Sequence, residues 1–342
     1  MVPLRYLTPF AFLVLLPVGG WLGGAWSFMA AGATPLCLVG LDEGLGEEAD
    51  RAGAPNSPAA RSLPRIYILM QLAVTIWAAV VAARPETGFV EAAGLAVSCG
   101  VTTGVFGFVA AHEMIHSRNE RDRALGLTLL GTVLYMHFRI AHVYGHHRRA
   151  ATSEDPATAR LGESLYAFLP RSIAGQLREA WTFELQRLRR AHRRAIGVGN
   201  RMIGYAAIEA GFLLALAFTG ARVVAFFVAT AMVAIFLLES FNYVAHYGLS
   251  RRSTERARVE PLGPQHSWNS SRRINNAALF NMGRHSDHHR RTARPYAQLE
   301  AISGAAQLPA GYAAALLTAL VPPLWRRIMD PKVAVMAGRW TS

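Results

Sequence analysis

The chain has 342 residues, of which 52% are hydrophobic, and its mean hydropathy is +0.22. Its net charge of +13 comes almost entirely from arginine, because Lys332 is the only lysine. Cys37 and Cys99 lie in separate apolar stretches, which excludes a disulfide framework and a thiolate metal site. The composition is typical of a membrane protein, and basic loops facing anionic lipid explain the charge better than binding of nucleic acid.

Six apolar stretches approach the length of about 20 residues that a helix needs to cross a bilayer. They are residues 4–19, 20–41, 66–83, 89–111, 202–220 and 223–245. The first stretch resembles a signal peptide but lacks a clear cleavage site, so it is predicted to be the first membrane helix. It is short, and a tight hairpin through Gly19 and Gly20 is expected to join it to the second. Residues 42–64 are predicted to form an irregular connector.

The distribution of basic residues predicts the orientation in the membrane. Residues 112–200 and residues 246–342 carry 14 lysines and arginines each, whereas the two short loops on the opposite side carry only Arg84 and Arg222. By the positive-inside rule, the long segments and both termini are expected in the cytoplasm, with the helices in a bacterial inner membrane. The predicted fold is all-α: a single domain over 1–342, with six spans and a helical cytoplasmic cap formed by 112–200 and 246–342.

Three segments of the cap are predicted not to cross the membrane. Residues 126–141 are apolar but short and contain His137 and Arg139, which predicts a re-entrant or buried helix. From Ile173 onward, apolar positions alternate with arginines at helical spacing, which predicts an amphipathic helix on the cytoplasmic interface. Residues 313–321 are too short to span, and the two prolines that follow are expected to end the segment.

Nine of the 12 histidines form four clusters that end or follow apolar segments. The clusters are His112 and His116; His142, His146 and His147; His246; and His285, His288 and His289. In a helix, positions i, i+3 and i+4 share one face, so the last cluster is predicted to present its imidazoles together. Imidazoles without thiolates suit zinc, copper or iron, and nine are enough for two metals. Two metals beside a lipid-filled cavity favour oxygen activation, because a hydrocarbon offers no bond to hydrolyse.

The other three histidines are interpreted separately. His137 and His192 stand alone, and each is predicted to be an ordinary polar residue. His266 is left between two interpretations, one as a residue that supports a metal ligand and the other as a purely structural residue.

Several stretches resemble the integral-membrane alkane 1-monooxygenase (alkane omega-hydroxylase) family, which is related to membrane fatty acid desaturases and xylene monooxygenase. They are HEMIH at 112–116, HVYGHH at 142–147 with EDPA at 154–157, NYVAHYGL at 242–249, HSWNS at 266–270, RHSDHH at 284–289, LPAGY at 308–312 and PPLWR at 322–326. HEMIH alone would suggest a zinc protease, but the other seven clustered histidines argue against that interpretation.

The resemblance implies a non-haem di-iron centre held by the nine histidines. It also implies O2 as oxidant, two electrons from rubredoxin, and reduction of rubredoxin by rubredoxin reductase with NADH. The substrate would be an alkane, hydroxylated at its terminal methyl after reaching the iron through a dry channel among the helices. Glu113, Glu239 and Asp287 are expected to accept N–H bonds from ligand imidazoles. The basic cytoplasmic face is compatible with docking of acidic rubredoxin, and equally with sorting of arginines by the positive-inside rule alone.

The chain departs from the family at two positions. Members of that family commonly have glutamate directly before the first histidine of the HVYGHH stretch and in the NYxEHYG stretch, where this chain has Ala141 and Ala245. Alternative functions are a desaturase or hydroxylase of fatty acyl chains, and a hydroxylase of alkylaromatic methyl groups. A non-catalytic membrane metal-binding homologue is a further alternative, which loss of ligand histidines would support; none is lost. The chain length of the substrate depends on where the channel ends, which the sequence leaves open.

Overall fold

Helices make up the fold of the chain in a computed structural model that describes residues 4–48, 53, 55, 57–252 and 259–339. They are α1 (Thr8–Leu22), α2 (Met29–Leu45), α3 (Pro58–Ala83), α4 (Phe89–Thr102), α5 (Phe108–His116), α6 (Glu120–Thr132), α7 (Phe138–Ile140), α8 (His147–Arg149), α9 (Leu165–Arg190), α10 (Arg201–Thr219), α11 (Ala221–His246), α12 (Arg273–Ala278), α13 (His285–Arg290), α14 (Tyr312–Ala319) and α15 (Pro322–Arg339). Within the described ranges the only β-type pairing is two isolated bridges, which confirms the all-α class.

Six of these helical segments are long and apolar enough to cross a membrane, as predicted. They run over Leu4–Leu22, Gly24–Leu45, Pro58–Ala83, Phe89–His116, Arg201–Thr219 and Ala221–His246. Large apolar side chains such as Leu36, Phe89 and Phe218 are exposed on the outside of these helices. In water such exposure would be costly, whereas against lipid it requires no partner.

Two boundaries of the predicted spans are wrong. The first hairpin turns at Gly23 and Gly24, whose φ angles are +71° and +54°, rather than at Gly19 and Gly20. Gly19 instead lies inside α1, where a Cβ would collide with the carbonyl oxygen of Trp26. The connector after α2 is shorter than predicted, because α3 already begins at Pro58. Proline suits the first turn of a helix, where its missing N–H leaves no bond unmade.

Of the three cap segments predicted from the sequence, one is wrong and two are present as helices. The predicted single helix over 126–141 is wrong: α6 ends at Thr132, and the chain turns through Leu134 (φ +57°) before α7. The amphipathic helix is present as α9, and Leu177 and Trp181 are exposed on its outer face. The short apolar segment after residue 311 is present as α14, and Pro322 begins the next helix.

Close packing of α11 against α4 brings two histidine-bearing ends to the same edge. A Cβ at Gly100 would clash with Val233, and one at Gly104 would clash with the backbone of Ala234. Small residues at such crossings let two membrane helices approach closely. The chain then continues from α4 through a π-helical segment, Thr103–Gly107, into α5. The α4–α5 segment, which ends at His116, and α11, which ends at His246, therefore run side by side along α4.

Candidate metal centre

The nine clustered histidines converge into two adjacent groups. The five-histidine group contains His112, His116, His142, His147 and His288. The four-histidine group contains His146, His246, His285 and His289. Within each group, the nitrogen atoms that could bind a metal all lie within 4.8 Å of one another, and all rings except the half-buried His116 are buried. The groups draw on residues up to 177 positions apart (112 and 289), so the tertiary fold assembles them.

The four sequence clusters do not map one-to-one onto the two groups. Residues Ala141–His146 form a π-helix, in which positions i and i+5 lie on the same side. His142 and His147 therefore face the same group, with their Nε2 atoms 2.9 Å apart, while His146 faces the other group. The predicted common face of α13 is split as well: His288 joins the five-histidine group and leaves His285 and His289 in the four-histidine group.

The distances between ring nitrogens fit ligands around a metal ion. In the five-histidine group, neighbouring Nε2 atoms are separated by 2.7, 2.9, 3.1 and 3.2 Å. In the four-histidine group, the Nε2 atom of His285 lies 3.1 Å from those of His246 and His289. Nitrogens at right angles around an ion with bonds of about 2.1 Å would be about 3.0 Å apart. Uncharged imidazoles that turn lone pairs toward each other repel, and a cation between them removes that repulsion.

The protonation state of the imidazoles also suits metal binding. Burial, followed by repulsion from neighbouring imidazoles, holds the pKa of His142, His147, His288 and His289 well below the usual 6.5. The same causes lower the pKa of His285. These rings are therefore neutral at pH 7, which is the form that ligates metals.

Glu239 binds partners other than the ligand imidazole predicted from the sequence. Its carboxylate accepts hydrogen bonds from the hydroxyl of Tyr135 (2.9 Å), the hydroxyl of Ser172 (2.7 Å) and the amide of Gln176 (2.8 Å). These donors belong to the turn after α6 and to α9. Glu239 thus ties α11 to the cap and does not orient a ligand imidazole directly.

Glu113 and Asp287 likewise accept hydrogen bonds from other groups. A Glu113 oxygen accepts the backbone N–H of Tyr296 at 3.2 Å. Asp287 Oδ2 accepts from Arg294 at 2.9 Å and from the backbone N–H of Glu300 at 3.0 Å. Both carboxylates therefore fix the loop that follows α13. The predicted hydrogen bonds from ligand imidazoles to Glu113 and Asp287 are replaced by these contacts.

Asp155 is the one carboxylate among the described residues that contacts a ligand imidazole, and the sequence alone did not predict this role. Its Oδ2 lies 2.8 Å from Nδ1 of His146, and both side chains are buried. Burial alone would raise the pKa of Asp155, but His146 and the hydroxyl of Thr158 outweigh burial and lower it. The available signal was the EDPA stretch, whose only other acid, Glu154, is exposed.

The remaining histidines lie outside both groups. The backbone carbonyl oxygen of His266 lies 3.3 Å from Nδ1 of His246, so His266 supports a ligand through its main chain. Its ring pairs with Glu260. His137 is buried beside Tyr135, and its Nε2 has no hydrogen-bond partner among the described residues. His192 is exposed in a turn.

An apolar cavity of about 260 Å³ adjoins both histidine groups. Residues of α2, α4, α5, α11 and α14 line it, together with the ligand imidazoles of His112, His142 and His285. Of the lining residues on α4 and α5, Val101 is the farthest from His112, 11 residues earlier or about 16 Å along the helix axis. The cavity can therefore hold an extended apolar chain with one end beside the histidines.

Comparison of this chain with known proteins identifies its relatives. The fatty acid desaturase family model matches residues 90–318. Alkane 1-monooxygenase 1 of Pseudomonas aeruginosa is 41% identical over 285 residues, which cover 80% of this chain and 74% of that protein. The chain belongs to the alkane 1-monooxygenase family. Alkane 1-monooxygenase of Acinetobacter baylyi is 36% identical over 81% of this chain and 68% of its own length. The xylene/toluene monooxygenase hydroxylase component of Pseudomonas putida is 26% identical over 95% of this chain and 87% of its own length.

Membership of the alkane 1-monooxygenase family makes this chain an oxidoreductase and an integral membrane protein. The two positions at which it departs from the family pattern lie inside the site. Ala141 directly precedes His142 and is 1% exposed, and Ala245 directly precedes His246 and is fully buried. Methyl groups therefore occupy packed positions beside one ligand of each group.

Proposed function

We propose that this protein is a membrane monooxygenase that hydroxylates the terminal methyl group of alkanes. The reaction consumes one O2, two electrons and two protons for each alkane, and it yields one primary alcohol and one water. The observation that supports this function best is the contact of the apolar cavity with both histidine groups. A chain in that cavity would present its end to His112, His142 and His285.

The proposed cofactor is a pair of non-haem irons, one in each histidine group, with all nine histidines as ligands. Ligand sets made only of imidazole also suit zinc and copper, so the choice of iron rests on the family and on the redox reaction. When bound, the irons supply the activation of O2. The protein's own residues hold the metals through neutral imidazoles and surround the substrate with apolar side chains that exclude water.

The proposed electron donor is rubredoxin, reduced by rubredoxin reductase with NADH. Arg290 follows the ligand His289 directly, and both Arg290 and the adjacent Arg291 are exposed. A basic surface one residue from a ligand favours docking of a small acidic redox protein close to the metals. By the positive-inside rule, this surface and both termini lie on the cytoplasmic side of the inner membrane.

The test is turnover by purified protein in lipid nanodiscs with rubredoxin, its reductase and NADH. Separate reactions receive n-alkanes of several lengths, fatty acyl chains or xylene, and mass spectrometry identifies the products. We expect 1-alkanols from the alkanes. Unsaturated or hydroxylated acyl products with no alkanol would favour the acyl alternative, and benzylic alcohol alone would favour the alkylaromatic one. Fully iron-loaded protein that forms no product would indicate a non-catalytic homologue.

A further inference from the structure

We propose that Asp155 makes the two histidine groups unequal as metal sites, because its hydrogen bond to His146 favours metal binding in the four-histidine group alone. Asp155 is a positioning residue in this proposal, since it acts on the metal through an imidazole. The inference rests on the two-iron occupancy proposed above.

The bond between Asp155 and His146 fixes which ring nitrogen faces the metal. Oδ2 of Asp155 lies 2.8 Å from Nδ1 of His146, and the two residues are 1% and 2% exposed. A carboxylate accepts the Nδ1–H, which leaves Nε2 as the nitrogen with a free lone pair. Nε2 of His146 is buried without a hydrogen-bond partner in the described part of the chain. The ring is therefore held in the tautomer that a metal in the four-histidine group requires.

The loop that carries Asp155 holds the carboxylate firmly. Oδ2 also accepts the hydroxyl of Thr158 at 2.6 Å, and Oδ1 accepts the backbone N–H of Ala157 at 3.2 Å. The same loop is joined to the end of α11, because Gly248 N donates to the carbonyl of Ala159 at 2.9 Å. The negative charge is thus fixed beneath the two helical segments that deliver His146 and His246.

Among the described residues, none of the other ligand histidines pairs with a carboxylate. Four of them have an Nδ1 atom that is buried without a hydrogen-bond partner among the described residues: His112, His147, His285 and His289. Nδ1 of His246 faces a neutral carbonyl oxygen, that of His266. Hydrogen bonding to a carboxylate makes an imidazole a stronger donor to a metal, and loss of such a partner lowers metal affinity about 10- to 100-fold. The four-histidine group of the unmodified protein should therefore bind its metal more tightly than the same group does in the Asp155→Asn protein.

The experiment compares the unmodified protein with Asp155→Asn and Asp155→Glu, each loaded with ⁵⁷Fe in nanodiscs. Asparagine can still accept the Nδ1–H but carries no charge. We expect Asp155→Asn to alter the Mössbauer quadrupole doublet of one iron and leave the other unchanged. We also expect it to speed the loss of one iron equivalent to a chelator by at least about tenfold. Asp155→Glu should restore part of the original behaviour, and Thr158→Val should give a smaller change in the same direction.

Asp122→Asn is the matched control, because Asp122 is also a buried carboxylate in an ion pair, with Arg65, but has no histidine partner. Its spectrum and chelation kinetics should match those of the unmodified protein. Equal changes at both irons in Asp155→Asn would show a general structural role and overturn the inference, as would no change at either iron. Unmodified protein that binds no iron would overturn both this inference and the proposed function. Two irons with no selective effect would overturn this inference alone.

Discussion

His147 and His289 belong to different histidine groups, yet their ring centroids lie only 4.7 Å apart. One ring comes from the start of α8 and the other from α13, so the boundary between the two groups is also a contact between distant parts of the chain. Two metals bound here would be close neighbours that share one buried wall of imidazoles. Removal of a ligand ring from either group should consequently disturb the other group as well, whereas a change behind a ring, such as Asp155→Asn, should affect one group alone.

Substitution of a ligand in the four-histidine group should remove iron and activity together. We expect about two irons and little zinc per unmodified chain, and we expect His285→Ala or His289→Ala to abolish both iron retention and alkane turnover. Metal analysis and product formation are the measurements. The control is His192→Ala, which changes an exposed histidine outside both groups and should affect neither quantity. One zinc and no iron in the unmodified protein would contradict the di-iron proposal.

A bulky side chain at the far end of the cavity should shorten the accepted substrate. Val101 lines the cavity about 16 Å from His112 along the helix. Val101→Trp should lower turnover of the longest accepted alkanes by at least about tenfold and leave shorter ones within about threefold, because only long chains reach the filled end. A panel of n-alkanes gives the profile. Leu36→Trp changes a side chain that is 72% exposed on α2 and should leave the profile unchanged.

Glu184 should stabilise the cap in a pH-dependent manner. It is fully buried and accepts hydrogen bonds from Arg187 and Arg201. Burial alone would raise its pKa, but the two arginines lower the pKa from 4.5 to about 2. A depressed pKa means that the stabilisation is present above about pH 4.5 and is lost as the pH falls toward 2.

Glu184→Gln should therefore destabilise the protein by about 2 kcal/mol near pH 7, because two guanidinium groups lose their charged acceptor. Thermal denaturation in detergent measures the difference, which should shrink as the pH falls from about 5 to about 3. Glu120→Gln is the control, since Glu120 is exposed and pairs with Arg123 on the same helix. A difference that grows on acidification would contradict the assigned role.

The C-terminus should be cytoplasmic. Six spans place both ends of the chain on one side, and 28 of the 35 lysines and arginines lie in the two long segments assigned to that side. A reporter enzyme fused to the C-terminus and active only in the cytoplasm should therefore give signal. Activity only from a periplasmic reporter would reverse the topology, and with it the proposed approach of rubredoxin.

Restoring glutamate at positions 141 and 245 should give little gain. Both alanines are buried among packed side chains, so a larger residue costs about 1–3 kcal/mol of packing strain before any benefit. We expect measurable hydroxylation by the unmodified protein. Ala141→Glu and Ala245→Glu, singly or together, should raise it less than about tenfold, or about 1.4 kcal/mol of barrier, at matched iron content. Inactive unmodified protein rescued by one glutamate would show that the missing carboxylates are essential.

The sequence predicted the helical class, the six spans and the nine histidines, because each depends on local pattern. Runs of apolar residues identify membrane helices without reference to the rest of the chain. The clustered histidines stand out because polar imidazoles are repeated where apolar spans end. The hairpin was predicted wrongly because two glycine pairs, Gly19–Gly20 and Gly23–Gly24, both suit a turn. Local pattern does not distinguish them, whereas in the structure Gly19 packs closely against Trp26 inside the helical hairpin.

Only the tertiary structure decided how the nine histidines divide and which carboxylate supports them. The division into five and four depends on the π-helix at Ala141–His146, which shifts His147 by one position relative to an α-helix. Spacing rules that assume 3.6 residues per turn cannot anticipate that shift. Glu239 and Asp287 lie close to ligands along the chain but point toward α9 and Arg294. Asp155 reaches His146 instead, because the loop after α8 folds back beneath it, and such a contact is set by the path of the chain and not by sequence distance.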